Sequence, residues 1–298
     1  MMPANLRIGT RASPLARVQT DIVREALGRH HPELALETVI ISTAGDRRLD
    51  IAIPDAGETG FFTSSIQHAL LNGEIDLAVH SLKDLPIEEP DRLEVAAVPE
   101  RADPRDVLIS RDGLVISDLP AGARVGTSSV RRAEQIRAVR PDLQPAPIRG
   151  NVATRLAKLD AGAFDAIVLA AAGLIRLGLE DRIDQWLAPP AFLPAPGQGA
   201  LAIETRADDS GARAAVAPLD DPDLHAAVNA EREFLAASGG GCNAPIGAFA
   251  EVRDGVLHLQ AGRYTDPVAT AAFSGPVDDP AGLGRQTARH LLHGHADV

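Results

Sequence analysis

Two stretches of the sequence rhyme, and the rhyme constrains the architecture more than any other feature. LRIGTRASPLA (6–16) is echoed by ARVGTSSVRRA (123–133). Each reads as a short strand ending at Gly-Thr, then a helix whose start carries serine or threonine caps. Ser13-Pro14 is a cap followed by proline at the first helical position. A second pair follows in the same order, GEIDLAVH (73–80) and GAFDAIVL (162–169). Both read as a helix end, a glycine and a buried parallel strand. The spacings differ between the copies, which argues against a solenoid array and for two similar α/β lobes.

In such sheets ligands gather at the carboxyl ends of strands and the N-termini of the helices that follow. That rule places Thr10 and Arg11, residues 81–84, residues 127–132 and residues 149–155 around one inter-lobe cleft. The connections are legible too. Residues 99–106 form a polar break, and 189–199 is rich in proline and glycine. The run ALAIETR (200–206) reads as a strand that returns to the first lobe, which gives the two hinge crossings of a closing cleft. The last part of the chain changes character: a helix over 223–237, then strands at 246–252, 256–263 and 268–273, then a helix over 281–292. Asp254-Gly255 joins the first two of these strands as a hairpin. This is a small antiparallel α+β domain.

A chain of 298 residues is long enough for two or three such domains. No apolar run approaches a membrane span, and the N-terminus lacks a signal-peptide stretch. With a lone cysteine, this predicts a soluble cytoplasmic protein. The net charge of −12 argues against nucleic acid as a partner. Locally the balance inverts: residues 124–155 hold seven arginines against Glu134 and Asp142. Arg137 and Arg140 read as a solvated helix face. Arg131, Arg132, Arg149 and Arg155 sit among Gly, Ser, Thr and Asn, which reads as loop chemistry. A basic pocket in an acidic protein points to a small polyanion. Lysine occurs only at 83 and 158, so Lys83 beside Asp84 stands out.

The cysteine, Cys242, follows three glycines in SGGGCNAP (238–245). A glycine run suits a sharply turning loop rather than a packed core. With no second cysteine there is neither an internal disulfide nor a cysteine metal site, which leaves a nucleophile or an attachment point. His290, His293 and His295 read as a mobile tail, and no metal site is expected. Trp186 and Tyr264 carry no functional signal.

Eight segments taken together resemble the porphobilinogen deaminase (hydroxymethylbilane synthase) family. They are RIGTRASPLA (7–16), AVHSLKDLP (78–86), DPRD (103–106), VGTSSVRR (125–132), IRGNVATR (148–155), AGLIRLG (172–178), LPAPGQGA (193–200) and GGCNAPIG (240–247). They occur in the family's order over nearly the whole chain. The resemblance implies an α/β fold of two lobes akin to type II solute-binding proteins plus a small C-terminal α+β domain. The expected division is 1–100 with 200–217, then 101–199, then 218–298. It also implies a dipyrromethane cofactor joined by a thioether to Cys242. On that primer four porphobilinogens are condensed head-to-tail with loss of four ammonias, and a linear hydroxymethylbilane is released. The expected state is a monomer.

Each porphobilinogen carries an acetate and a propionate, which arginine's planar fork pairs bidentately. On the resemblance, Lys83, Ser129, Arg131 and Arg132 join Cys242 in holding the cofactor. Arg11, Ser13, Ser81, Thr127, Ser128, Arg149, Arg155 and Arg176 bind substrate. The serines and threonine either donate to the ligand or act as plain caps. Asp84 is the catalytic candidate: its carboxyl group gives the proton that loss of ammonia needs, then stabilises the pyrrole cation and guides attack by the chain end. Lys83 holds a carboxylate rather than forming an imine, and His80 is structural. Arg7 and Arg206 are expected to pair with acids of the fold.

The segment 51–67 departs from the family: its Phe61-Phe62 remain, but the basic residues of the loop are gone. A mobile lid over the cleft is still expected there, and the family's substrate contacts are not carried over to it. Two rivals compete with this reading: a two-lobed organic-anion binder without chemistry, and a family member that has lost activity.

Overall fold

The computed structural model describes residues 3–42, 64–88, 90–240 and 244–293. They form two compact units, Met1–Arg101 with Ala200–His225 and Ala102–Gly199 with Ala226–Val298. Strands are numbered in chain order.

The first unit is built on β1 (Asn5–Thr10), β2 (Ala35–Ile40), β3 (Leu77–Ser81), β4 (Leu93–Ala97) and β10 (Leu201–Arg206), in the order β2-β1-β3-β10-β4. β1 is parallel to β2 and β3, while β10 runs antiparallel between β3 and β4. The run at 200–206 does return to the first sheet. Alternate residues of the buried strands serve opposite faces. Leu77 and Val79 pack with Ile8, Val23 and Leu27, the latter two one turn apart on the helix Pro14–His30. Ala78 packs on the other side with Ile66 and Leu70 of the helix Ser64–Leu71. Burying each such Leu, Ile or Val contributes ~1.5–3 kcal/mol.

The second unit repeats the plan with β5 (Asp106–Ser110), β6 (Arg124–Gly126), β7 (Gln144–Ala146), β8 (Ala166–Ala170) and β9 (Gln185–Leu187), ordered β7-β6-β8-β5-β9. β6 is parallel to β7 and β8, and β5 runs antiparallel between β8 and β9. Strand for strand this is the layout of the first sheet, so the rhyme in sequence is a rhyme in topology. β3 and β8, expected as parallel strands, are parallel on one side only. A crossing strand borrowed from elsewhere in the chain closes the other side. The helix Val130–Val139 covers one face through Ile136, and Val152–Asp160 covers the other through Leu156 and Leu159.

The second unit also holds an antiparallel sheet of β11 (Ile246–Arg253), β12 (Val256–Arg263) and β13 (Ala269–Pro276). Phe234 of the helix Pro222–Ala237 and Leu283 and Leu291 of the helix Pro280–His293 pack on Leu257 and Leu259. His290, expected in a mobile tail, lies in that last helix, edge-on to Phe273 with ring centroids 5.1 Å apart. His295 and most of the expected lid, 51–63, lie outside the described residues. No helix among the described residues is long and apolar enough to cross a membrane.

Candidate functional site

In the first unit the candidate residues converge at the carboxyl ends of β1 and β3. Ser13 caps the helix Pro14–His30, accepting from the Ala16 N–H at 3.3 Å. Thr10, buried, donates to the Ala16 carbonyl. From the same helix the buried Gln19 donates to the Ser81 hydroxyl at 2.7 Å, tying the helix to the end of β3. A short 3-10 turn follows, Leu82–Asp84. Leu82 and Leu85 are buried on either side of Lys83-Asp84 and pin the turn, leaving Lys83 half-buried and Asp84 exposed. Arg11 lies half-buried at the end of β1. Arg11, Ser13, Ser81, Lys83 and Asp84 therefore share one edge of one sheet.

His80 turns the other way. Its ring lies 3.1 Å from Glu204, which also accepts from Gln67 at 2.8 Å, and all three side chains are buried. Arg7 is bound to Asp76 by two side-chain hydrogen bonds, and Arg206 reaches both Asp76 and Asp209. Burial would push the Asp76 carboxyl up, but the two arginines reverse this and hold it below the usual range. These three are fold residues, as the sequence reading expected.

In the second unit the loops after β6 and β7 are locked together. The Ser128 hydroxyl donates to the Ile148 carbonyl at 2.7 Å and accepts from the Ile148 N–H at 3.1 Å. Thr127, buried, accepts from the Ser129 N–H, and Ser129 caps the helix Val130–Val139 by accepting from Arg132. Asn151, which the sequence reading passed over, caps the helix Val152–Asp160. Arg155 donates to the Gly150 carbonyl, Arg149 is exposed, and Arg176 donates to the Gly199 carbonyl at 2.8 Å.

Arg131 and Arg132 are not loop arginines. They occupy the first turn of a helix and are buried around Asp106, a residue with no exposed surface. Arg131 Nη1 lies 2.7 Å from Asp106 Oδ2, and Arg132 Nη2 lies 2.7 Å from Oδ1. Gln198 donates to the same Oδ1 at 2.8 Å. Burial alone would raise the Asp106 carboxyl. The charge and hydrogen bonds of two guanidiniums outweigh it and hold the group well below the usual carboxylate range. Burial draws the Arg131 guanidinium down, and Asp106 opposes that. Two buried cations thus face one carboxylate, an excess of positive charge that a second anion would balance. The sequence reading missed Asp106 and Gln198 as site residues, although both stand in segments that carry the resemblance.

Arg137 is a solvated i,i+3 partner of Glu134, as expected. Arg140 is not simply solvated. Besides pairing with Asp142 it donates to the carbonyls of Ile116, Ser117 and Leu119, which a helix C-terminal arginine reaches by folding back. Trp186 stacks under the Arg105 guanidinium at 4.3 Å, and Tyr264 is buried.

The helix Pro222–Ala237 ends in a Schellman motif. Gly239 (φ 64°) donates to the Ala236 carbonyl and Gly240 to that of Leu235. A Cβ on Gly240 would lie 2.9 Å from both Leu235 and Ile246, so Gly240 is required by packing and Gly239 by its positive φ, each apart from any role of the cysteine. Cys242 lies outside the described residues. Among the described residues no group of His, Cys, Asp and Glu is placed to hold a metal ion.

Two family descriptions match the chain. "Porphobilinogen deaminase, dipyromethane cofactor binding domain" matches residues 6–214, and "Porphobilinogen deaminase, C-terminal domain" matches 225–293. The porphobilinogen deaminase of Roseiflexus castenholzii is 50% identical over 293 residues, covering 98% of this chain and 97% of that one. That of Syntrophobacter fumaroxidans is 48% identical, covering 96% and 94%. Among solved structures, the Bordetella pertussis BvgS VFT2 domain aligns with a TM-score of 0.45 at 15% identity, over 72% of this chain and 86% of that one. Two family matches that together span nearly the whole chain and near full-length relatives agree: the chain belongs to the porphobilinogen deaminase family.

Proposed function

We propose that Asp84 and the arginines at the strand ends carry this family's reaction, the stepwise condensation of porphobilinogen into a linear tetrapyrrole. The observation that carries the assignment is the buried cluster of Arg131 and Arg132 on Asp106, two cations against one anion. Carboxylate-bearing pyrroles suit that donor set, so the residues present fit the dipyrromethane cofactor of the family. When bound, that cofactor supplies the pyrrole chain to which porphobilinogen is added, and Cys242 is its proposed attachment point. Arg131 and Arg132, with Lys83 and Ser129, hold its carboxylates. Arg11, Arg149, Arg155 and Arg176 bind the acetate and propionate arms of incoming substrate, with hydroxyls of Ser13, Ser81, Thr127 and Ser128 as further partners.

Asp84 hydrogen-bonds the aminomethyl arm of a bound porphobilinogen and keeps its nitrogen protonated. The C–N bond then breaks, both electrons leave with nitrogen as ammonia, and the Asp84 carboxylate faces the cation left on the ring. Its exposure at the end of a pinned turn supports this role, since substrate can reach it. The division into two lobes and a C-terminal domain at 218–298, a cytoplasmic location, a monomeric state and no nucleic-acid partner belong to the same reading.

One experiment tests it. The protein from cells replete in porphobilinogen has an intact mass above that of the sequence by two linked pyrrole units, and Cys242→Ser removes the increment. Asp84→Asn retains the increment while turnover falls by about 10²–10⁴. An unmodified wild-type mass, as an anion-binding protein would give, or normal turnover in Asp84→Asn, would sink the assignment.

A further inference from the structure

The segment 193–199 looks like a linker in sequence, yet it touches almost everything that orients the buried arginines. The Leu193 carbonyl accepts from Arg131 Nη1 at 2.5 Å and from Gln135 at 2.9 Å. The Gln198 side chain donates to Asp106 and to the Pro104 carbonyl, and its oxygen lies 3.4 Å from Arg132 Nη2. The Gly199 carbonyl accepts from Arg176. A displacement of this strap therefore moves the partners of three arginines at once.

The other side of the strap is fastened to the C-terminal part of the same unit. The Pro194 carbonyl accepts from the Ala248 N–H of β11 at 2.9 Å, and the Gly197 N–H donates to Glu231 Oε2 at 2.6 Å. Glu231 has no exposed surface, and its Oε1 accepts from the Ala250 N–H at 2.7 Å. It sits on the helix Pro222–Ala237, the element that leads into the Cys242 segment. A carboxylate is suited to this place because it offers acceptors on both oxygens.

We infer that Glu231 is a positioning residue for cofactor binding. By clasping the strap at Gly197 and β11 at Ala250 it sets the register between the C-terminal sheet and the Arg131–Arg132 cluster. Seating of the cofactor carboxylates is thereby coupled to the part of the chain that bears Cys242. The inference rests on the reading that Arg131 and Arg132 hold those carboxylates.

The test uses full-length protein made in cells unable to form porphobilinogen and then supplied with it. Cofactor loading is followed by intact mass, and Tm is measured before and after loading. Glu231→Gln keeps the shape but sets an amide –NH2 against one of two backbone N–H groups. Loading slows by about tenfold, and the rise in Tm that accompanies loading shrinks by about half. An acid that only supports the fold would lower the Tm of loaded and unloaded protein equally and leave the loading rate unchanged. That result overturns the inference. If Glu231→Gln does not fold, Glu231→Asp is measured in the same way, with the same shrunken rise expected and an unchanged rise overturning. Arg132→Lys separates the two levels. Normal loading there removes the arginine reading and the inference with it. Impaired loading there, beside an unchanged Tm rise in the Glu231 variant, removes the inference alone.

Discussion

Asp106 has no exposed surface, yet two guanidiniums and an amide converge on it, and its ionised state is what keeps two like charges together in the interior. Removing one partner of a buried ion pair costs about 3–5 kcal/mol. Asp106→Asn is therefore expected to destabilise by roughly that amount near neutral pH. The pH dependence follows from the direction of its shift. The folded-state carboxyl lies below its ordinary value, so its contribution is fully present above the unfolded value of about 4 and is lost as pH falls below it. Denaturant unfolding of wild type and variant should show a constant gap from about pH 8 to 5 that narrows below about pH 4. A gap undiminished in acid would show that shape rather than charge matters there. At this scale the sequence was partly legible. The place of Asp84 just after a buried strand could be read, and its exposure there is set locally by the buried Leu82 and Leu85. The inward turn of Arg131 and Arg132 could not, because their partner Asp106 lies on β5, a strand brought beside β8 only by the fold.

Elements were more legible, because each is set by local chemistry: a cap at Ser13 or Ser129, a glycine ending a helix, alternating apolar residues along a strand. Less visible was the crossing strand β5; the return of β10 to the first lobe was legible but its place between β3 and β4 was not, since a strand's neighbours depend on distant segments. Arg140 and His290 were misread for a related reason. Loop carbonyls at 116–119 and an aromatic ring, both reached through tertiary packing, leave no local signal. Glycines inside helices show how packing overrides propensity. Gly28, in the helix Pro14–His30, has nothing within 4 Å of where a Cβ would stand, whereas at Gly284 a Cβ would lie 2.7 Å from the Ala230 carbonyl and 2.8 Å from the Phe234 nitrogen. Alanine gains about 0.5–1 kcal/mol over glycine in a helix. At Gly28 nothing opposes that gain, so Gly28→Ala should raise stability by about this much. At Gly284 the clash is with the backbone of the helix Pro222–Ala237, and overpacking of about 1–3 kcal/mol wins. Urea titrations of the two variants should move in opposite directions. A stabilised Gly284→Ala would mean that the two helices separate without loss.

At the scale of the whole molecule, the chain closes its first unit only after building most of the second sheet's lobe. It passes between units after Arg101, after Gly199 and after His225. The strand that returns, β10, pairs Leu201 with Ser81 and Ala202 with His80, and the Ala200 carbonyl accepts from the Leu82 N–H. The turn that presents Asp84 is thus held by residues more than a hundred positions away. Behind β10, the helix Ser210–Val216 adds Ala212, Ala215 and Val216 to the core around Leu77 and Val79. Without this segment β4 loses its neighbour and β3 has an open edge, which leaves the trio β2-β1-β3 exposed along one side. A fragment ending at Gly199 should therefore lose hydrogen-exchange protection over Leu77–Ser81, because its amides no longer sit in a closed sheet. A fragment ending at His225 keeps β10 and its helix and should retain that protection, even though it lacks the C-terminal sheet. Equal protection in the two fragments would show that β3 needs no returning strand, and that the turn carrying Asp84 is set by the first hundred residues alone.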